Sequence, residues 1–315
     1  MKKISLNETP ANERPAVATV GFFDGVHLGH QHLIAQMVAM AREADMDSMA
    51  VTFDNHPRQV VDPSFVPQML TAYEEKIVRL AKTGIDCCVL LHFTPELAAL
   101  SARDFMQQTL RDRLNVRKLL VGYDNRFGHD RSEGFDDYVR YGEEMGIEVV
   151  KSTELTVDGA TVSSSAIRRM IAEGNVELAS RCLGHSYTLV GRVVEGHQQG
   201  RRLGFPTANI ELDDKAKMIP APGVYAVRAR VEGSMEMKRA VMNIGSRPTF
   251  GGDTLSIEVH IINYEGDLYG KHLLVSVAHR LRGEQRFEST GQLVAQMRED
   301  VRVAQKIFEE ESDHE

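Results

Sequence analysis

Short apolar runs alternate with amphipathic stretches through the first half of the chain. Residues 17–20 form an apolar run that is typical of a buried parallel strand. The next stretch carries Leu33, Met37, Met40 and Ala44 at spacings of four, three and four, which places them on one face of a helix. Further strand-like runs cover residues 49–53, 87–93, 118–122 and 147–151. The pattern therefore predicts strands separated by helices.

Two of the intervening helices have recognisable starts. Thr71 to Glu74 has the residue types of a capping box, and Thr94 places a capping hydroxyl before Pro95 at the first helical position. Repetition of strand and helix predicts an α/β fold with a mostly parallel, Rossmann-like sheet covered on both faces. Ligands of such sheets bind outside the carboxyl ends of the strands.

After about residue 185 the pattern changes to short β-rich runs separated by Gly- and Pro-containing turns. This texture predicts a small antiparallel β-barrel. A closing C-terminal helix follows, with Val294, Met297, Val301, Ala304 and Phe308 on one face. We therefore expect two domains, residues 1–184 and 185–315. The predicted barrel strands are residues 187–194, 224–231, 238–244, 255–261 and 273–281.

Composition and charge limit the compartment and the partners that we expect for the chain. No apolar run approaches the roughly 20 residues of a membrane helix, and the N-terminus lacks the apolar core of a signal peptide. The three cysteines are an odd number, and two of them are adjacent in an apolar run, which indicates buried thiols in a reducing cytoplasm. A net charge of −8 disfavours nucleic acid as a partner. We expect a cytoplasmic monomer or weak homo-oligomer that binds neither nucleic acid nor membrane.

The turn at residues 21–30, Gly-Phe-Phe-Asp-Gly-Val-His-Leu-Gly-His, lies between a predicted strand and a predicted helix. Free N–H groups and the positive end of the helix dipole meet there, and glycines let the backbone approach an anion. His27 and His30 could donate hydrogen bonds to the same anion. A phosphate site is a better interpretation of this arrangement than a helix cap alone.

Three other segments begin where strands should end, so they could share that site: residues 52–57, 122–128 and 163–168. In the barrel half, residues 196–209 combine three glycines and two arginines with Thr207 and Asn209 on one side of an extended segment. Spacing alone supports a phosphate and Mg²⁺ cradle and a structural barrel corner equally well.

The string at residues 21–30 resembles the nucleotidyltransferase superfamily, in which His-x-Gly-His binds the ATP triphosphate, and its full form is similar to bacterial FAD synthetases. Class I aminoacyl-tRNA synthetases share the short signature, but here no broad basic region and no Lys-Met-Ser-Lys-Ser loop accompany it. The three further segments match FAD synthetases in order. The chain departs from the family with Asn55 for a frequent proline, Asn125 for phenylalanine and Ser165 for threonine.

The resemblance implies roles for individual residues of the first half. His27 and His30 would contact the transferring phosphate, and Arg168 would clamp the leaving pyrophosphate. The remaining implied contacts to ATP are Gly21, Phe22, Phe23, Asp24, Gly25, Gly29, Ser164 and Ser165, and those to the flavin are Phe53, His56, Pro57 and Asp124.

The second half resembles riboflavin kinases, on Leu-Gly-Phe followed by Pro-Thr-Ala-Asn at residues 203–209 and on matching segments at 243–250, 258–261, 267–270 and 281–287. The resemblance implies Glu258 as the catalytic base, Arg282 and Glu284 at the flavin, and Thr207 and Asn209 as ligands of Mg²⁺. Implied contacts to ATP are Gly196, Gly200, Arg201, Gly204, Pro206, Thr207 and Asn209.

The resemblance covers about residues 14–305 and implies a bifunctional enzyme, which phosphorylates riboflavin with ATP to FMN and adenylylates FMN with ATP to FAD and pyrophosphate. Two alternatives stay open at this point. Asn55 and Asn125 could mark a riboflavin kinase with an impaired adenylyltransferase, and a flavin-binding regulatory protein could retain the sites without turnover.

Overall fold

The chain folds into two compact units, Met1–Ser164 and Ser165–Glu315, in a computed structural model. The structure describes residues 1–5, 13–123, 126–129, 132–196, 200, 203–249 and 252–312, with the backbone alone described at 160, 246–249, 252–254 and 312. Asp124, Asn125 and Arg201, which the sequence singled out, lie outside this part of the chain.

The first unit is built on a parallel sheet, as the sequence predicts, and the sheet has six strands, one more than the five predicted. Its strand order is β1-β4-β3-β2-β5-β6. The strands are β1 Lys2–Ser5, β2 Ala16–Val20, β3 Asp47–Phe53, β4 Cys87–Leu91, β5 Val116–Val121 and β6 Glu148–Lys151. Successive strands progress from β2 in one direction as far as β4, and the chain then returns to place β5 on the other side of β2. The switch point therefore lies at the carboxyl end of β2, where ligands of such sheets bind.

Helices cover both faces of this sheet. Alternate residues of the strands bury their side chains on opposite faces, and two separate apolar clusters form, one containing Ala18 and Val51 and the other Val17 and Ala50. The helices of this unit are α1 Leu28–Glu43, α2 Pro57–Val61, α3 Tyr73–Ala81, α4 Pro95–Ala98, α5 Ala102–Asp104 and α6 Phe135–Met145, with a π-helical segment at Phe105–Arg111 and a two-stranded hairpin of β7 Thr156–Val157 and β8 Ala160–Thr161.

The two predicted helix starts have different outcomes. Thr94 accepts a hydrogen bond from the Leu97 N–H with Pro95 at the first helical position, so that prediction is confirmed. The predicted capping box at Thr71 is wrong, because the N-cap of α3 is Ala72. The Thr71 hydroxyl instead accepts a hydrogen bond from the Gly25 N–H at 3.0 Å.

The second unit contains a closed, six-stranded antiparallel barrel in the order β10-β13-β12-β11-β14-β9. The predicted barrel and closing helix are both confirmed, and the sequence missed one strand, β10. The elements are α7 Ser164–Glu173, α8 Val176–Leu183, β9 Tyr187–Val194, β10 Ala208–Leu212, β11 Gly223–Val231, β12 Lys238–Thr249, β13 Gly252–Ile261, β14 His272–Arg282 and α9 Thr290–Ser312.

Helix α9 packs on the outside of the barrel. Its Ala304 and Phe308 are fully buried against Val224 and Ala226 of β11 and Val241 of β12. The apolar face predicted for this helix therefore has a real partner surface.

Strand β9 passes close to β10 at Gly191. A Cβ atom at this position would fall on the backbone carbonyl of Glu211 and on the Ile210 side chain. We expect Gly191→Ala to destabilise the barrel by about 1–3 kcal/mol, because a backbone atom cannot move aside as a side chain can. Calorimetry of the full chain measures this, with the exposed Val190→Ala on the same strand as the control. Equal melting of both variants would contradict the expected clash.

Candidate active sites

The first candidate site is the turn that follows β2. Phe23 and Val26 adopt positive φ angles of 53° and 40°, and Gly25 lies at 84°. A positive φ is rare for residues other than glycine and strained for a β-branched one, so the turn must be held by its surroundings. The buried Asp24 carboxylate holds it by accepting hydrogen bonds from the N–H groups of Leu70 and Thr71, each at 3.0 Å.

His27 and His30 lie together at the N-terminus of α1. Nδ1 of His27 accepts a hydrogen bond from the His30 N–H at 3.3 Å and so caps the helix. The two rings stack with centroids 3.6 Å apart, and the Phe23 ring packs edge-on against His30.

The buried ring of His30 has one nitrogen atom that could bind a ligand. Its Nδ1 has no hydrogen-bond partner among the described residues. Burial, and then the neighbouring His27 and Lys76, lower the pKa of His30 well below its usual range. A neutral imidazole still carries one N–H group, and buried polar atoms are normally hydrogen-bonded, so an anion at this position would complete the site.

The segment after β3 lies beside this turn. His56 caps α2 by accepting a hydrogen bond from the Arg58 N–H, with Pro57 at the first helical position, and its ring contacts Phe22 edge-on at 4.8 Å. Phe53 packs edge-on against Phe93. Phe53, His56 and Pro57 thus occupy the carboxyl edge of the sheet next to Gly21 and Phe22.

Ser164, the last residue of the first unit, contacts the same turn. Its hydroxyl donates a hydrogen bond of 3.0 Å to the Asp24 carbonyl, and the Val162 carbonyl lies next to Gly29. Ser165 and Arg168 follow on the first turns of α7. Their part in nucleotide binding stays a prediction.

The second candidate site lies on strands β10 and β13. Asn209 of β10 stands directly opposite Glu258 of β13. Ile257 and Val259 are buried while Glu258 and His260 are partly exposed, so the side chains of β13 alternate between two faces. Two polar side chains are thereby presented on the same face of one strand.

Hydrogen bonds hold Pro206 and Thr207, the residues that precede β10, against this face of β13. The Thr207 hydroxyl donates to a Glu258 carboxylate oxygen at 3.2 Å, and His260 Nδ1 lies 2.9 Å from the Pro206 carbonyl oxygen. The loop also passes close to itself, because a Cβ at Gly200 would fall on the Phe205 carbonyl. A Cβ at Gly196 would fall on the side chain of Asn209, which would have to move, whereas the Phe205 backbone at Gly200 cannot. Gly204 takes a positive φ of 83° in the turn between them and the strand.

Two cavities meet at Thr207. One, of about 330 Å³, lies between the barrel and α9, and Glu258 is on its wall. The other, of about 670 Å³, lies on the far side of the loop and is lined by Pro206, Thr207 and the segment 264–269. A group transferred from one cavity to the other would pass Thr207 and Glu258. The first cavity is also lined by Asn243, Arg282, Glu284, Phe287, Met297 and Asp300.

Arg282 is held rigidly on the wall of the smaller cavity. Its guanidinium makes a two-pronged ion pair with Asp300 of α9, with Nε–Oδ1 and Nη2–Oδ2 distances of 3.0 and 2.8 Å. Gln296 donates a further hydrogen bond to Asp300. Glu284 lies on the same wall, beside Gly245.

Two family models match separate, non-overlapping parts of the chain. The FAD synthetase model matches residues 9–166, and the riboflavin kinase model matches residues 183–308. A bifunctional riboflavin kinase/FMN adenylyltransferase from Escherichia coli K12 is 36% identical over 302 residues, covering 96% of each chain. The chain belongs to this family of bifunctional enzymes.

Other similar proteins also match over nearly the full length of the chain. The protein of the same name from Pseudomonas fluorescens is 37% identical, again over 96% of both chains. A crystal structure from Streptococcus pneumoniae, named as a macrolide-efflux protein, superposes with a TM-score of 0.88 at 29% identity and covers 97% of this chain and 99% of that one. In the part of the present chain that is described, no helix is both long enough and apolar enough to cross a membrane.

Sequence reasoning missed two charged residues at these sites, Lys76 and Asp300. Both lie on the apolar face of a helix: Lys76 is three residues after Tyr73 and four before Leu80, and Asp300 is three after Met297 and four before Ala304. A charge in such a position must find a partner to be buried, and this signal was available.

Asn55, which departs from the family pattern, has a structural role. Its side-chain amide donates to the Phe93 carbonyl at 2.9 Å, and its carbonyl oxygen accepts from the Phe93 N–H at 2.8 Å. These two hydrogen bonds join the segment that follows β3 to the one that follows β4, as backbone hydrogen bonds between paired strands do.

We expect Asn55→Ala to lower the free energy of unfolding of the first unit by about 1–3 kcal/mol, because the Phe93 backbone groups lose their partners. Asn55→Asp is the matched control, since it keeps the acceptor and loses only the donor. Thermal unfolding should rank wild type above Asn55→Asp and Asn55→Ala, and unchanged melting of both would contradict this role.

Proposed function

We propose that the chain makes FAD in two steps, using a separate site for each. The barrel transfers phosphate from ATP to riboflavin, and the Rossmann-like unit transfers AMP from a second ATP to the resulting FMN. The observation that carries this is the pairing of Thr207 with Glu258 where two cavities meet in one unit, while the other unit presents the stacked His27 and His30 at a helix N-terminus. Family membership supplies the substrates.

The kinase step needs a base, because a ribityl hydroxyl is a poor nucleophile. Glu258 takes the proton of the terminal hydroxyl as its oxygen bonds to the γ-phosphorus of ATP. The bond from that phosphorus to the bridging oxygen breaks, and ADP leaves. Riboflavin would occupy the cavity with Arg282 and Glu284, and ATP the larger cavity beyond Thr207.

Oxygen donors suited to Mg²⁺ converge at this point. Thr207 immediately precedes β10 and donates to Glu258, and Asn209 of β10 stands opposite Glu258; hydroxyl, carboxamide and carboxylate oxygens are hard ligands that fit this ion. We propose that Thr207 and Asn209 hold Mg²⁺ with the ATP phosphates, where the ion would neutralise charge on the transferring group. Gly196, Gly200, Arg201 and Gly204 would bring backbone and side-chain donors to those phosphates.

The adenylyl step needs no general base, since the FMN phosphate is already ionised. Its oxygen attacks the α-phosphorus of ATP, the bond to the β-phosphate oxygen breaks, and pyrophosphate leaves. Catalysis then consists of alignment and charge stabilisation, which fit His27 and His30 as donors and Ser164, Ser165 and Arg168 around the triphosphate. Phe53, His56, Pro57 and Asp124 would face the flavin, and Gly21, Phe22, Phe23, Asp24, Gly25 and Gly29 would shape the nucleotide turn.

The proposed division of the two activities is residues 1–184 and 185–315, which agrees with the start of the riboflavin kinase match at 183. We further propose a cytoplasmic monomer or weak homo-oligomer without nucleic acid partners. Burial raises the pKa of the Cys88 thiol to about 11, and an unreactive thiol of this kind suits a reducing compartment.

Replacing Glu258 should separate the two activities. We expect Glu258→Gln to lower kcat for FMN formation by about 10²–10⁴-fold, because glutamine keeps the shape and cannot take the proton. FAD formation from supplied FMN should be unchanged. Chromatography of flavins after incubation with ATP and magnesium measures both, with the exposed Glu236→Gln as the control. Loss of both activities in Glu258→Gln would contradict two independent sites.

The histidines should show the converse. We expect His27→Asn and His30→Asn to lower FAD formation by about 10²–10³-fold and to leave FMN formation intact. Asparagine at 27 still caps α1, so its effect on stability should be smaller than that of His27→Ala, which costs about 1 kcal/mol. Normal FAD formation by either asparagine variant would overturn the assignment. Wild-type chain that accumulates FMN with ATP in excess would instead indicate an impaired adenylyltransferase.

A further inference from the structure

A buried cation lies beneath the first site and belongs to none of the motifs that the sequence singles out. Lys76 of α3 is 2% exposed. Its ammonium group donates to the Phe53 carbonyl at 2.8 Å, to the Phe22 carbonyl at 3.2 Å and to the Thr52 hydroxyl at 3.4 Å. These acceptors belong to the two segments that leave the adjacent strands β2 and β3. The Lys76 side chain therefore joins the turn after β2 to the segment that carries Phe53 and His56.

The charge on Lys76 is stabilised by dipoles and an aromatic ring rather than by an ion pair. Its Nζ lies 4.4 Å from the centre of the Phe22 ring, and no carboxylate of the described residues is within ion-pair distance of it. Burial lowers the pKa of Lys76 to about 8, against the opposing effects of Asp24, Cys88 and Asp54. His30 on α1 also interacts with it electrostatically. Near neutral pH the group is thus a protonated donor with three good acceptors.

The two joined segments also contact each other. The Phe22 ring meets the ring of His56, the Gly21 N–H donates to the Val51 carbonyl, and the Thr52 hydroxyl donates to the same Phe22 carbonyl that Lys76 binds. The ammonium is the centre of this network, because it reaches the carbonyl oxygens on both sides at once.

We propose that Lys76 is a positioning residue for adenylyl transfer: its ammonium group fixes the turn at Phe22, which faces the nucleotide, against the segment from Phe53 to His56, which faces the flavin. This rests on the proposed function of the first unit. The reaction depends on alignment of the FMN phosphate with the α-phosphorus of ATP, so a small displacement between the two segments slows it strongly. A lysine that merely filled space would be replaceable by methionine without loss of rate.

The experiment compares three variants of the full chain. Lys76→Met keeps the length of the side chain and removes the donors and the charge. Lys76→Arg keeps a cation at every accessible pH. Lys82→Met, at the exposed end of the same helix, is the matched control. Initial rates of FAD formation from FMN and ATP are measured between about pH 6.5 and 9.5. FMN formation from riboflavin in the same samples reports the amount of active barrel unit, and thermal unfolding reports whether the first unit is folded.

We expect Lys76→Met to lower kcat/KM for FAD formation by about 10- to 100-fold, mostly through kcat, with FMN formation unchanged. In wild type, kcat/KM for FAD formation should fall as the pH rises through about 8, because the free enzyme loses the Lys76 proton there. Lys76→Arg should lack this alkaline fall, and Lys82→Met should follow wild type.

Three results would overturn the proposal. They are a wild-type rate in Lys76→Met, the same alkaline fall in Lys76→Met or Lys76→Arg as in wild type, and a loss in Lys82→Met equal to that in Lys76→Met. If Lys76→Met does not fold, the pH profile of Lys76→Arg still decides. Failure of the proposed function is distinguishable, because wild type would then make no FAD at any pH.

Discussion

Burying a charge is tolerable only where hydrogen bonds replace the lost water, and the first site is built around two such charges. Asp24 accepts the N–H groups of Leu70 and Thr71 and so holds a strained turn from one side. Lys76 donates to backbone carbonyls and holds it from the other. Because the two groups bind opposite kinds of backbone atom, the turn after β2 has little freedom to relax, and His27 and His30 are presented in a fixed geometry.

The second site obeys the same constraint with a different arrangement. Arg282 and Asp300 neutralise each other on the wall of the smaller cavity, while the Glu258 carboxylate accepts a hydrogen bond from the Thr207 hydroxyl. This carboxylate is the base that we propose for the kinase step, whose hydroxyl substrate must lose a proton. The adenylyl step starts from an ionised phosphate, and correspondingly its site presents donors instead of a base.

The periodicity of the sequence predicted both folds because each element buries one face or one stripe, and that requirement is local. Strand β10 was missed because it is only five residues long and lies between a loop and a turn. The capping box at Thr71 failed for a tertiary reason: its hydroxyl binds Gly25, which is 46 positions away. Lys76 and Asp300 escaped notice although their helical positions are apolar, because their partners are remote backbone carbonyls and an arginine that no short window contains.

The two alternatives to a bifunctional enzyme can each be compared with the residues of one site. An impaired adenylyltransferase would follow if Asn55 disrupted the flavin side, but its amide binds both backbone groups of Phe93 and so maintains that edge of the sheet. A regulatory flavin-binding protein does not need a carboxylate such as Glu258 on the cavity wall, whereas the proposed kinase step needs one to remove a proton. The same reasoning applies to the buried Nδ1 of His30, whose missing partner an anionic substrate would provide.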